Sequence, residues 1–573
     1  SNLSTTLHVV YCPYIIKTSL MSIFSDLRQT RAIMMAAQKL RSYHCSNSGV
    51  PPLQHSLPEL LDIRGDLAAA FIAHGLKKGE RVSLMCPTSI DYVVCEYAIA
   101  RTGGILVRLQ SSFKTEQDLK YLLGKSGAKW IIAQPGHNGK NYELFTTICP
   151  GLRDHDPKMK LGVEGLPDLE KIFILGEEPY EGTILLKSIT SSQKFDLKEL
   201  YQRQTLLTND DIQGLNMTSG STGYPKLVAQ PYAYGINGWR NASMMNGITD
   251  RDIYITDRPM PYSGGMTGPA FGIGYTMVYV VTKASVGAGS EGSEFMLQCA
   301  EEEKCTVLLT FPYLLTDLVQ LAQKGKFNAG KVRVGIFGGQ SVNSALFTQC
   351  LNVIPNLLNM YGSSESNIPV GALLQDSVEK RASTTGIAVD GEAKIVDEAG
   401  DIVPVNTDGE LCVRLKSLFV KYWGDDELTK QVKTADGWFL TADRAVMDHE
   451  GYITIKGRKQ EIISRATVKI YPLTLENVII KHPKITLVIV VGVPDARLYE
   501  EICACVVPHK DKKMTEAELR EYCDGIFGEC EDGLSLGPKY FVLLDSLPYG
   551  PTGKVDRRKV RKIAIEQLGM DTM

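Results

Sequence analysis

The run MTSGSTGYPK, Met217 to Lys226, sets hydroxyls at Thr218, Ser219, Ser221 and Thr222 around two glycines, Gly220 and Gly223, and continues through Tyr224 and Pro225 to Lys226. Glycines let backbone amides approach an anion, hydroxyls donate to its oxygens and a lysine adds a cation, so the stretch has the chemistry of a phosphate cradle. A polar surface turn is the plainer alternative. The spacing departs from GxxxxGK[ST], which argues against a P-loop nucleotide hydrolase. Three further stretches carry chemistry. NMYGSSE, Asn359 to Glu365, offers an aromatic face at Tyr361 and a carboxylate at Glu365 on a glycine-containing turn. FLTADRAVMDHEGYITIKGR holds Asp443 and Arg458, and PYGPTGKVDRRKVRK presents Lys554 on a tight Pro/Gly turn. Singly, each has an ordinary reading: a packed tyrosine, a surface aspartate, a solvated basic tail.

Groups so far apart need a large scaffold to bring them together. At 573 residues the chain exceeds what one core holds, so two or more domains are expected. In SLPELLDIRGDLAAAFIAHGLKKGERVSLMC, Ser56 and Glu59 have capping-box spacing, Pro58 sits in the first turn and Gly75 supplies a stop. That predicts a helix ending near His74, then a strand over 81–86. A second helix over 90–101 ends at Gly103 and Gly104, and strand-like runs follow at 130–133 and 171–175. Such alternation indicates an α/β fold, a large N-terminal body of layered α/β subdomains with largely parallel sheets. From Gly391 the pattern changes to short strands with turns at 398–401 and 407–409, a small β subdomain. Residues 459–573 read as a small α+β domain with strands at 487–491 and 502–507, a helix over 515–527 and a basic terminal helix from Asp556.

Composition narrows the function classes. With 44% hydrophobic residues, 22% charged residues and a net charge of −3, neither nucleic-acid binding nor a disordered acidic tail is indicated. No apolar run approaches the roughly 18 residues that span a bilayer. Thirteen cysteines without a CxxC pair, and nine histidines not clustered with them, favour buried reduced thiols over disulfides or zinc. Between Ser1 and Pro58 the only acidic residue is Asp26, among Lys17, Arg28, Arg31, Lys39 and Arg41. Residues 1–50 are therefore either a mitochondrial transit segment or a basic first helix over 19–40.

Taken together and in this order, the four stretches resemble the adenylate-forming superfamily of acyl-CoA synthetases, nonribosomal adenylation domains and beetle luciferases, over nearly the whole chain from about Leu57. Within it, GELCVR, KYWGDDELT, VVGVPDARLYEEICACV and PTGKVDRRKVR are most similar to the mitochondrial medium-chain acyl-CoA ligases. The resemblance implies an AMP-binding domain over 51–458 and a mobile C-terminal lid over 459–573. It implies ATP, Mg²⁺ and coenzyme A as cofactor and co-substrates, with a medium-chain or similar apolar carboxylic acid as partner and a mitochondrial matrix setting. It assigns Thr218 to Lys226 to the leaving phosphates and Tyr361 to stacking on adenine. Asp443 would hold the ribose hydroxyls with Arg458 beside it, and Gly339 and Ser364 join the nucleotide contacts. Glu365 would hold Mg²⁺, Lys554 on the lid would reach the carboxylate and α-phosphate, and the lid would turn about Gln460.

The chain also departs from the family pattern. The hinge residue, usually Asp or Lys, is Gln460, and the glycine pair of the loop lining the pantetheine tunnel is Ala466 and Thr467. Ala442 stands where a glycine is expected before Asp443, Leu415 where one follows Arg414, and Gln110 and Ser111 replace an Asn-Pro pair. Tyr262 takes the place of a histidine, and an acyl pocket is expected along 262–277, with Tyr262 and Gly265 at its start. The glycines there either leave room for an alkyl chain or let the backbone pack closely. Three functions follow: an acyl-CoA ligase; an enzyme that makes acyl-AMP but uses a different acceptor; or a non-catalytic nucleotide-binding descendant. Retention of Glu365, Asp443, Arg458 and Lys554 together weighs against the last.

Overall fold

Runs that are apolar at nearly every position become strands covered on both faces. Arg81–Met85, Ile105–Arg108, Ala128–Ala133 and Lys171–Ile174 are buried almost throughout, as the inner strands of a parallel sheet must be. The computed structural model describes residues 10–11, 39–44, 53–111, 113, 115–191, 195–218, 225–265, 273–281, 289–310, 312–325, 327, 330–339, 342, 344–458, 461–465, 468–495, 498–527, 537–549 and 555–570. Among them, two large sheets form the body. The eight-stranded one runs, in order, Lys421–Tyr422, Lys226–Pro231, Ile212–Thr218, Ile105–Arg108, Arg81–Met85, Ala128–Ala133, Lys171–Ile174 and Ile184–Leu185. Its strands are parallel except Lys226–Pro231, which is antiparallel to both neighbours.

The nine-stranded sheet has a parallel centre, Leu357–Ser363, Val334–Gly338, Val307–Thr310, Ile253–Thr256 and Thr276–Val281. Lys39–His44 extends it in parallel, and antiparallel strands close both ends. One buried cluster joins Val82, Trp130 and Phe173 of the first sheet to Tyr254, Ile336 and Leu358 of the second, with Tyr92 and Ile99 of helix Ile90–Thr102 between them. Separate clusters cover the outer faces under helices Glu116–Ser126 and Lys140–Ile148, and under Gly289–Glu302, Pro312–Gln323 and Ser344–Leu351. This is the layered α/β body expected from the alternating pattern.

Local signals account for most element ends. The helix Leu57–Ala73 is followed by Gly75 at φ 93°. Ile90–Thr102 starts where the Ser89 side chain accepts from the Tyr92 amide and stops at Gly103 in the left-handed region. One expectation fails. Lys39 and Leu40, placed at the end of a basic helix, lie in the strand Lys39–His44, paired with Thr276–Val281. Backbone pairing to a strand more than 200 residues away overrides the local helical pattern, a choice no local window contains. The Ser56–Glu59 side chains, and the rest of the expected helix before Lys39, lie outside the described side chains and residues.

From Gly391 the chain builds an antiparallel sheet of Val10–Tyr11, Glu392–Val396, Gly409–Arg414, Phe439–Met447 and Ile453–Arg458 around its own core. The C-terminal unit pairs Ile485–Asp495 with Tyr499–Pro508 and adds Tyr540–Leu543 in parallel, with apolar clusters on both faces. Cys503 and Cys505 point to the same buried face of that sheet. The described cysteines are buried and none is disulfide-bonded. Among the described residues, no helix is long and apolar enough to cross a membrane.

Candidate functional site

The two ends of the phosphate-cradle candidate, Thr218 and Lys226, lie on paired strands. Ile212–Thr218 and Lys226–Pro231 are antiparallel, with Thr218 directly opposite Lys226. Ser219, Gly220, Ser221, Thr222, Gly223 and Tyr224 lie outside the described residues; Thr218, Pro225 and Lys226 are half-buried. The Lys226 ammonium sits 5.0 Å from the centre of the Tyr422 ring.

A hairpin carries the next three candidates. Leu357–Ser363 turns into Asn367–Gly371, leaving Ser364 and Glu365 at the tip and Tyr361 on the strand. The turn is tight: a Cβ on Gly362 would lie 1.8 Å from the Asn367 carbonyl oxygen, so only glycine fits. Body residues fasten the tip. Gln230 Nε2 donates to the Ser364 carbonyl at 2.9 Å, and the Tyr234 hydroxyl donates to that of Ser363 at 3.1 Å. Phe419 N donates to the Glu365 carbonyl at 2.8 Å, and the Tyr422 hydroxyl donates to Glu365 Oε1 at 2.8 Å. Burial and the adjacent carboxylate hold the Tyr422 phenol far above its ordinary range, so it remains a donor.

Asp443 and Arg458 face each other across the antiparallel pair Phe439–Met447 and Ile453–Arg458, with Arg458 Nε 3.4 Å from Asp443 Oδ1. The Tyr361 hydroxyl donates to Asp443 Oδ2 at 2.5 Å. Burial, reinforced by Asp443, pushes the Tyr361 phenol well up, so it too stays protonated. Ala442, where the family pattern has glycine, adopts φ 60°, a left-handed conformation that strains an alanine. A continuous series of contacts therefore runs Lys226, Tyr422, Glu365, then through that hairpin to Tyr361, Asp443 and Arg458. Cation, carboxylates, aromatic faces and hydroxyls are brought together from four separate stretches.

The remaining candidates are placed around this series. Gly339, at φ 85°, follows the strand Val334–Gly338, which pairs with Leu357–Ser363. Tyr262 is half-buried, and burial pushes its phenol up to about 12 although a hydrogen bond with Gln110 pulls the other way. Gly265 donates to the Tyr262 carbonyl, and a Cβ on it would fall 2.1 Å from the Pro259 carbonyl oxygen. This glycine closes a tight turn rather than opening space. Gln460, Ala466, Thr467 and Lys554 lie outside the described residues. Their surroundings are tied together: Arg557 Nε is 3.3 Å from Glu461 Oε2, and Arg557 Nη2 donates to Glu476 Oε2 at 2.7 Å. The C-terminal unit also meets the small β subdomain, where the Tyr471 hydroxyl and the Arg444 guanidinium both donate to Asp408.

Gln230, Tyr234, Phe419 and Tyr422 are residues that the sequence alone did not single out. Tyr422 lies within the KYWGDDELT run, but nothing local says that its hydroxyl reaches Glu365, 57 residues earlier. As to a metal, no group of three or more His, Cys, Asp or Glu among the described residues could hold one. A single carboxylate such as Glu365 suits a hard cation like Mg²⁺ that takes its other ligands from phosphate oxygens and water.

The AMP-binding enzyme family model matches residues 54–423, and the AMP-binding enzyme C-terminal domain model matches residues 474–554. The medium-chain acyl-CoA ligase ACSF2, mitochondrial, of Danio rerio is 30% identical over 515 residues, 88% of this chain and 82% of that protein. The putative acyl-CoA synthetase YngI of Bacillus subtilis is 27% identical over 519 residues, 88% and 91%. The structure of ATP-bound MatB from Rhodopseudomonas palustris superposes with a TM-score of 0.75 at 20% identity, covering 95% of this chain and 98% of that one. The chain belongs to the AMP-binding enzyme family, within the adenylate-forming superfamily.

Proposed function

From that family membership we infer that the protein is an AMP-forming acyl-CoA ligase. A carboxylate oxygen of the acid attacks the α-phosphorus of ATP, the bond from that phosphorus to the β-bridging oxygen breaks, and pyrophosphate leaves acyl-AMP behind. The thiol sulfur of coenzyme A then attacks the acyl carbonyl, the carbon–oxygen bond to AMP breaks, and the thiol proton goes to solvent. The observation that carries the reading is the contact series from Lys226 to Arg458, which joins a phosphate-cradle base, a lone carboxylate and an aromatic–aspartate pair.

In this reading the chain's residues act by positioning and electrostatics, since phosphoryl and adenylyl transfer leave little covalent chemistry to the protein. Thr218 to Lys226 grip the β- and γ-phosphates, Tyr361 lies against adenine, and Asp443 accepts from the ribose hydroxyls with Arg458 beside it. Ser364 and Gly339 border the nucleotide. Glu365 would hold Mg²⁺, which when bound would neutralise phosphate charge. Lys554 stabilises the charge that builds on the α-phosphate. The names of the curated relatives, and the largely apolar run 262–277, support a medium-chain fatty acid as substrate; the relatives and the acid-poor residues 1–58 support a mitochondrial setting.

A second reading is favoured by Gln460, Ala466 and Thr467: an enzyme that makes acyl-AMP and passes the acyl group to another acceptor. One experiment separates the two. Full-length protein is incubated with ATP, Mg²⁺ and carboxylic acids of graded chain length, and pyrophosphate, acyl-AMP and thioester are measured with and without coenzyme A. Thioester formation on medium-chain acids is expected. Acyl-AMP without thioester would replace the ligase reading by the second, and no pyrophosphate from any acid would refute both.

A further inference from the structure

We propose that Tyr422 is a positioning residue that fixes the Glu365 carboxylate for a divalent cation while keeping the Lys226 ammonium turned to phosphate. The proposal rests on the adenylating reading above and deepens it. Tyr422 ends the two-residue strand Lys421–Tyr422, directly opposite Val228 on the strand that begins with Lys226. Its ring is buried against Phe419, with centroids 5.1 Å apart, and the Lys226 ammonium lies over the ring. The hydroxyl at the far edge donates to Glu365 Oε1.

Tyr422 itself is well anchored. Its amide donates to Thr429 Oγ1 at 3.0 Å, and the preceding chain is held by Lys433 Nζ, which donates to the Phe419 carbonyl at 2.8 Å. Phe419 in turn donates to the Glu365 backbone. One short segment, 419–422, thus grips Glu365 at main chain and side chain and meets Lys226 with an aromatic face.

The chemistry explains why a tyrosine serves here. A carboxylate that must present one oxygen to a cation needs its other oxygen fixed by a donor that does not cancel its charge, and a phenol is a neutral donor. Tyr422 meets the two charges at different parts of its side chain, the Lys226 ammonium at the ring face and the Glu365 carboxylate at the hydroxyl. The ring's face accepts the ammonium weakly enough to release it to phosphate.

The test is calorimetric binding of a non-hydrolysable ATP analogue to full-length protein over a Mg²⁺ titration, with no carboxylic acid present. In Tyr422→Phe, which keeps the ring and loses the hydroxyl, the Mg²⁺ concentration that half-maximally strengthens binding should rise roughly tenfold or more. Binding without Mg²⁺ should stay as in wild type. Adding Tyr422→Phe to Glu365→Gln should produce no further loss, since the hydroxyl acts through that carboxylate. An unchanged Mg²⁺ midpoint in Tyr422→Phe, or an additive double variant, overturns the proposal. Wild-type protein that binds the analogue without any response to Mg²⁺ overturns the adenylating reading itself, and the two failures are told apart by which protein shows them.

Discussion

The Tyr361 hydroxyl donates to the Asp443 carboxylate over 2.5 Å, although 82 residues separate them. The pair joins the rim of the nine-stranded sheet to the small β subdomain, so an aromatic face and a carboxylate are set with respect to one another. Asp443 is thereby satisfied on one oxygen by Tyr361 and faced on the other by Arg458.

Asp443→Ala removes the acceptor and leaves Arg458 without its partner. A hydrogen bond to a charged group contributes about 1.5–3 kcal/mol, so kcat/KM for ATP should fall on the order of 10- to 150-fold. Tyr361→Phe, which keeps the ring, should raise KM for ATP only several-fold. Steady-state pyrophosphate release decides it, and equal losses in the two variants would contradict the division of roles.

Lys554→Ala should lower acyl-AMP formation by orders of magnitude while the ATP analogue still binds. Equilibrium binding alongside single-turnover adenylation provides the comparison. Unaltered adenylation would remove Lys554 from its assigned role.

Ala442→Gly should stabilise the protein by about 0.5–1 kcal/mol. The left-handed backbone at φ 60° costs an alanine roughly 1–2 kcal/mol, partly offset by the greater freedom of glycine in the unfolded chain. Denaturant unfolding measures the difference, and a destabilised variant would mean that the Ala442 methyl contributes packing which outweighs the strain.

Arg108 is fully buried, with its guanidinium on Glu96 at 2.9 Å and against Gly214, where a Cβ would lie 2.2 Å from Nη1. Glu96→Ala strands a buried charge and should cost about 3–5 kcal/mol. Gly214→Ala should also destabilise, by displacing the same guanidinium from Asn216, which it reaches at 3.4 Å two residues before Thr218. Thermal unfolding of each variant gives the answer; a Glu96→Ala protein as stable as wild type would show the ion pair to be dispensable.

Stability should be level from about pH 7 to 9 and fall above about pH 10. Tyr92, Tyr254, Tyr279, Tyr361 and Tyr422 are all held above the ordinary phenol value by burial, so the unfolded chain loses these protons first. Their contribution is complete below the unfolded value and is lost as pH rises through the folded ones. Unfolding temperatures across that range check the sign, and a rise above pH 10 would contradict it.

The chain on its own determined the types of group available and most local elements. Thr218 to Lys226 was legible as a set of hydroxyls, glycines and a lysine, and the helix Ile90–Thr102 ends at Gly103 because a glycine there accepts a left-handed backbone. Parallel strands were legible because burial on both faces demands unbroken apolar runs. Which residues meet was decided only by the tertiary structure. Lys39–His44 became a strand through pairing with Thr276–Val281, Gly265 turned out to close a turn against Pro259, and Tyr422 reached Glu365 through the edge of a sheet. Strand partners and cross-sheet hydrogen bonds are set by how distant segments pack, and no short window of sequence carries that distance.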